Sequence, residues 1–99
     1  MKEGDILIFR IEGNTVVAEI ESETDESLIL HDPQQLVIMN RGNQVEVGLV
    51  PFIMGISDTK LLRVQKHHIV AFAEVNKDMH GLYIQATTGL QIAANGPIA

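Results

Sequence analysis

The stretch DILIFRIEGNTVVAEIESETDESLILHD, Asp5 to Asp32, decides how this chain folds. Two apolar runs, Ile6 to Ile11 and Val16 to Ile20, flank the turn dipeptide Gly13-Asn14, and a third run, Leu28 to Leu30, follows a short polar break. Short runs rich in Ile and Val, punctuated by turn residues, read as the strands of an antiparallel meander. The spacing predicts strand one over Asp5 to Ile11, strand two over Thr15 to Ser22 and strand three over Ser27 to Met39. The third is expected to bend or bulge at Asp32-Pro33, because Pro33 has no N–H to offer a neighbour.

Downstream, Asn40-Arg41-Gly42-Asn43 is a turn with a glycine available for positive φ, and strand four follows over Gln44 to Met54. Pro51 marks an edge or an irregular end there. Gly55 to Thr59 reads as a loop, Leu61 to Gln65 as a short strand and Ile69 to Val75 as the last strand, so seven short strands or five long bent ones fit equally. Asn76 can cap a helix along which Met79, Leu82, Tyr83 and Ala86 recur at helical spacing, and Gly89 can stop it. No repeat or linker interrupts the chain. The expected organisation is one domain over 1–99: a β portion over 5–75, a helix over 76–89 and a tail over 90–99.

With 99 residues, such a chain buries only about 60 to 65% of its unfolded surface, so a monomer is marginal by itself. Yet 45% of the residues are hydrophobic. In strand one Leu7, Phe9 and Ile11 share one face while Ile6 and Ile8 lie on the other; in strand four Val45, Val47 and Leu49 oppose Val50, Phe52 and Met54. A one-sided antiparallel sheet alternates apolar with polar residues, so apolar residues on both faces predict surfaces covered by a helix or by a partner.

The chain has no cysteine, which excludes disulfides, thiolate zinc sites and a cysteine nucleophile. Met1 to Asp5 lacks a signal-peptide core and no run approaches the roughly 20 apolar residues of a membrane span, so the expectation is a soluble, cytoplasmic protein with no membrane partner. The net charge of −6 opposes a polyanion partner unless basic groups gather locally. The one useful cluster is Lys60, Arg63 and Lys66, joined by His67 and His68 when these are protonated.

In order and spacing, these elements resemble Sm-like (LSm) proteins over roughly residues 5 to 75. Ile20-Glu21-Ser22, followed six residues on by Leu28-Ile29-Leu30, is similar to the first Sm motif of the bacterial Sm-like RNA chaperone, and Lys66-His67 resembles a Lys-His pair in its second motif. The segment from Asn76 to Gly89 and the ending look more like Sm-like proteins encoded by bacteriophages, cyanophages among them. The resemblance implies an all-β fold: a small, strongly bent antiparallel barrel, here with a short C-terminal helix. It also implies pairing of strand four with the last strand of a neighbour, which closes homo-oligomeric rings of about five to seven subunits. In the chaperone branch uridines sit at the inner rim; carried over by position, that site is the loop Glu23 to Ser27 with the segment Gln65 to His67, so the resemblance implies RNA contacts from Asp25, Gln65, Lys66 and His67.

The chain departs from the family pattern at identifiable positions. Thr24 stands where the first motif has its acidic residue, and Glu26 stands where RNA-binding relatives place a stacking ring, worth ~1 to 3 kcal/mol per base. Glu21, Glu23, Asp25 and Glu26 make the loop an acidic rim. The Arg-Gly pair of many second motifs is missing, and no helix precedes strand one; the C-terminal helix is expected to take that helix's place by burying Met79, Leu82 and Tyr83. The expected function is therefore a ring that binds single-stranded RNA at its pore, the alternative being a structural or protein-interaction ring without nucleic acid.

Catalysis and metal binding have no support in the spacing. As neighbours in a strand, His67 and His68 would face opposite ways and could not share a metal. His31, His80 and the acidic loop follow no ligand pattern, and neither a phosphate loop nor a G-x-S-x-G elbow occurs. The expectation is a protein that is no enzyme and uses neither cofactor nor metal.

Overall fold

The computed structural model describes residues 1–53 and 60–88. The expected end of strand four at Met54, the Gly55 to Thr59 loop, the Gly89 stop and the 90–99 tail lie outside the described residues. Six strands form one antiparallel sheet: β1 (Ile6–Ile11), β2 (Asn14–Glu23), β3 (Ser27–Arg41), β4 (Gln44–Pro51), β5 (Leu61–Gln65) and β6 (Ile69–Glu74). A single 3-10 turn, Lys66–His68, joins β5 to β6, and helix α1 (Lys77–Thr88) follows. The strand order is β4-β3-β2-β1-β6, with β5 also on β3. The ladder thus has two ends, and it does not by itself close into the barrel that the resemblance implied.

The spine is the 15-residue β3. Its first part, Ser27 to His31, pairs with β5, and its second, Gln34 to Arg41, pairs with β4. β4 and β5 are therefore two pieces of one interrupted strand, broken opposite the bend expected at Asp32-Pro33. There Asp32 adopts φ 52°, a left-handed value that residues other than glycine seldom take. The backbone groups turned out of the ladder find partners: Asp32 N–H donates to Lys60 O at 2.7 Å, and Phe52 N–H donates to Pro33 O at 2.9 Å. The Tyr83 hydroxyl is shared between the carbonyls of His31 (2.8 Å) and Asp32 (3.1 Å).

The first hairpin corrects one expectation. Ile11 pairs with Asn14, so the turn residues are Glu12 and Gly13, and it is Glu12 that carries the positive φ of 60°. Its anchor is the 3-10 turn, since Glu12 N–H donates to His68 O at 3.3 Å and its carboxylate bonds the His68 ring. β3 also runs two residues further than the pattern suggested, which shortens the second turn to Gly42-Asn43, and β6 ends one residue early at Glu74.

One face of the sheet carries the core: Leu7, Phe9 and Ile11 of β1, Val16, Ala18 and Ile20 of β2, Leu28 and Leu30 of β3, and Val64 of β5. Each full burial of such a side chain contributes about 1.5–3 kcal/mol. Alternation puts Val17 on the opposite face, and it too is completely buried. Helix α1 packs near β4 and reaches the β3 bend through Tyr83, and Asn76 starts it by accepting the Met79 N–H on its side-chain oxygen at 2.8 Å. Tyr83 is buried, whereas Met79 and Leu82 are half-buried, so the helix docks through Tyr83 above all.

The sheet ends are bare by comparison. On β6 Val70 is 72% and Phe72 54% exposed, although Phe72 lies beside the buried Phe9 with ring centroids 6.4 Å apart. At the other end Ile38 of β3 and Val45 and Val47 of β4 are exposed.

Candidate nucleic-acid interface

The turn between β2 and β3 is built on Thr24. Its hydroxyl accepts N–H bonds from Ser27 (3.0 Å) and Glu26 (3.4 Å), and its own N–H donates to Ser27 O at 2.9 Å. A side-chain hydroxyl thus folds the turn by accepting its backbone donors. Ser27 pairs with Gln65 across β3 and β5, and Lys66 N–H donates to Glu26 O at 2.8 Å. Residues far apart in sequence thus meet along one edge.

Along it lies a shallow, solvent-open cavity of about 420 Å³ lined by Thr24, Asp25, Glu26, Ser27, Arg63 and Gln65. Of the four expected RNA-contacting residues, Asp25 and Gln65 share this cavity. Arg63 joins them, its Nη1 donating to Ser27 Oγ at 3.3 Å. By local pattern Arg63 is only one cation in a cluster; the β3–β5 register, which brings it beside Ser27, is a long-range fact that no local pattern carries.

Lys66 and His67 stand apart from the cavity. The Lys66 ammonium bonds the Glu23 carboxylate, and that hydrogen bond holds Glu23 below the usual carboxylate range. His67 is exposed, its ring packed against His68 with centroids 4.1 Å apart. The expectation that the two rings face opposite ways is overturned, because Lys66–His68 is a 3-10 turn and strand alternation does not apply. His68 itself is taken by Glu12. Among the described residues no group of three or more His, Asp or Glu side chains could hold a metal ion.

Lys66 is not the only cation already paired with a carboxylate. Arg41 pairs with Glu46 at 3.3 Å, and Lys60 lies 4.0 Å from Asp32. Among the described residues, the carboxylates of Asp25 and Glu26 have no side-chain partner. An acceptor-only group with no donor is a place where a ligand's N–H groups can bind. Outside this rim, a second cavity of about 300 Å³ runs along β6 between Met1, Lys66 and Phe72. No helix is long and apolar enough to cross a membrane among the described residues. No family model matches the chain, and no curated protein matches it in sequence.

Proposed function

We propose that this chain is an Sm-like subunit that assembles into a closed homo-oligomeric ring and binds single-stranded RNA at a rim formed by the Thr24 to Ser27 turn and the Arg63 to His67 segment. The observation that carries the assembly is the exposure of Val70 and Phe72 on β6 at one sheet end, matched by apolar residues on the β4 and β5 edge at the other. Free strand edges with apolar side chains pair with another chain, and a head-to-tail contact whose rotation closes makes a ring. The order β4-β3-β2-β1-β6 leaves the last strand free at one end and the interrupted strand at the other, as edge pairing between subunits requires.

RNA binding is supported by the cavity beside Gln65 and Arg63, which assembly would repeat around the ring. Native mass measurement tests the ring: a discrete multimer is expected, and Phe72→Asp is expected to reduce it to monomer. A chain that is monomeric at every concentration sinks the assembly. Titration of labelled U-rich, A-rich and mixed oligonucleotides at two salt concentrations tests the RNA, with micromolar, salt-weakened binding expected.

The second reading, a protein-only ring, is favoured by one specific observation: Glu23 already neutralises Lys66. Under that reading no oligonucleotide binds and Lys66→Ala with His67→Ala changes nothing.

A further inference from the structure

We infer that the rim cavity is a guanine pocket, which rests on the reading that the ring binds RNA and specifies the base it selects. The cavity has two kinds of wall. Asp25 and Glu26 contribute carboxylates that only accept and that lack partners among the described residues; Arg63 contributes a guanidinium with five N–H donors, of which Ser27 Oγ engages one. Gln65 adds an amide that both donates and accepts.

Guanine matches this arrangement from both sides. Its N1–H and N2–H2 lie next to each other and can give two bonds to one carboxylate, while O6 and N7 accept two from one guanidinium. Uracil places a single N3–H between two carbonyl oxygens, so a carboxylate that takes the proton also faces two acceptors. Cytosine and adenine each offer one amino group beside an acceptor nitrogen. None of them gives a carboxylate two adjacent donors.

The lining contains no aromatic ring, so stacking, which tolerates every base, does not set the preference. Hydrogen bonds at the base edge do. The depression is open to solvent, so a purine can present its edges to the lining residues without being enclosed. A base is neutral, so the two carboxylates that repel a phosphate do not repel it. The acidic rim thereby selects what enters, and excludes the sugar-phosphate backbone from the same spot.

The test compares three labelled 12-nucleotide RNAs on the intact protein: alternating GU, alternating inosine-U and all-U. Inosine is guanine without its 2-amino group. The GU strand is expected to bind at least about tenfold tighter than the other two, the worth of one bidentate base contact. Asp25→Ala with Glu26→Ala is expected to bring GU binding down to the all-U level while the native mass and circular dichroism stay unchanged. Equal affinity for GU and all-U, or a GU preference that survives inosine, overturns the guanine pocket and leaves RNA binding standing. Absence of binding to all three overturns both. The inosine comparison uses the unaltered chain, so it decides even where the double variant misfolds.

Discussion

β3 is held at two places in opposite styles: at its bend, His31 to Pro33, and at its start, where the Thr24 to Ser27 turn leads in. At the bend the polar groups are consumed. Tyr83 bonds two carbonyls, Asp32 lies 4.0 Å from Lys60, and His31 meets Glu19 at 3.2 Å. In the rim turn the backbone is equally well bonded through Thr24, yet the carboxylates of Asp25 and Glu26 are left over. The difference teaches how to separate a groups-in-use site, which holds shape, from a site whose shape is held so that its unused groups can meet a ligand.

The largest expected effect falls at the bend. Tyr83→Ala should destabilise by about 3–5 kcal/mol through loss of the buried ring, and Tyr83→Phe by about 1–3 kcal/mol through loss of the hydroxyl's bonds to two carbonyls. Chemical denaturation reads both. Asp25→Ala should stay within about 0.5 kcal/mol, as an exposed change does. Comparable losses at Asp25 and Tyr83 would erase the distinction between the two places.

Tyr83 is the chain's single tyrosine, so its phenolate absorbance reports one site. Burial pushes the phenol well above its ordinary value of 10, with the Asp32 charge adding to it. A raised value in the folded state contributes stability that is fully present below pH 10 and is lost as pH rises through the folded value. The absorbance should therefore stay flat where a free tyrosine titrates and rise together with unfolding. Titration near pH 10 in the folded protein would show that the helix is not docked through this hydroxyl.

Smaller effects belong to the rim. Thr24→Ala should cost about 0.5–1.5 kcal/mol by removing the acceptor of two backbone bonds, while Thr24→Ser retains most of the stability. Smaller still is Glu23→Gln. Because Lys66 lowers the folded Glu23 value, this pair contributes in full above the unfolded value of 4.5 and its contribution disappears as pH falls through the folded one. Wild type and Glu23→Gln should accordingly converge in acid and differ slightly at neutral pH; a difference that grows in acid would reverse the assignment. If RNA binds, the freed Lys66 should also tighten it.

Much of the fold was legible from local pattern: β1, β2, the bend at Asp32-Pro33, the short β5 and the Asn76 cap all follow from alternation, turn residues or capping chemistry. What escaped was set by partners distant in sequence. Glycine is the expected residue for positive φ, yet Glu12 takes it because His68 holds its backbone and its carboxylate. Lys66 reads as a free cation until Glu23, forty-three positions earlier, is found against it. The rim was half legible, since Asp25 and Gln65, both expected at one site, line one depression, whereas Arg63 enters only through the β3–β5 register.

The interruption between β4 and β5 has a use in engineering. Phe52 is tied to Pro33 and Lys60 to Asp32, adjacent residues of one strand, so these two points of the chain are fixed side by side. Closing a loop between such fixed ends costs only about 0.6 kcal/mol more for each doubling of its length. A peptide epitope or a small folded module inserted between these two points would be held close to the sheet; if the proposed ring forms, it would be displayed as a regular array.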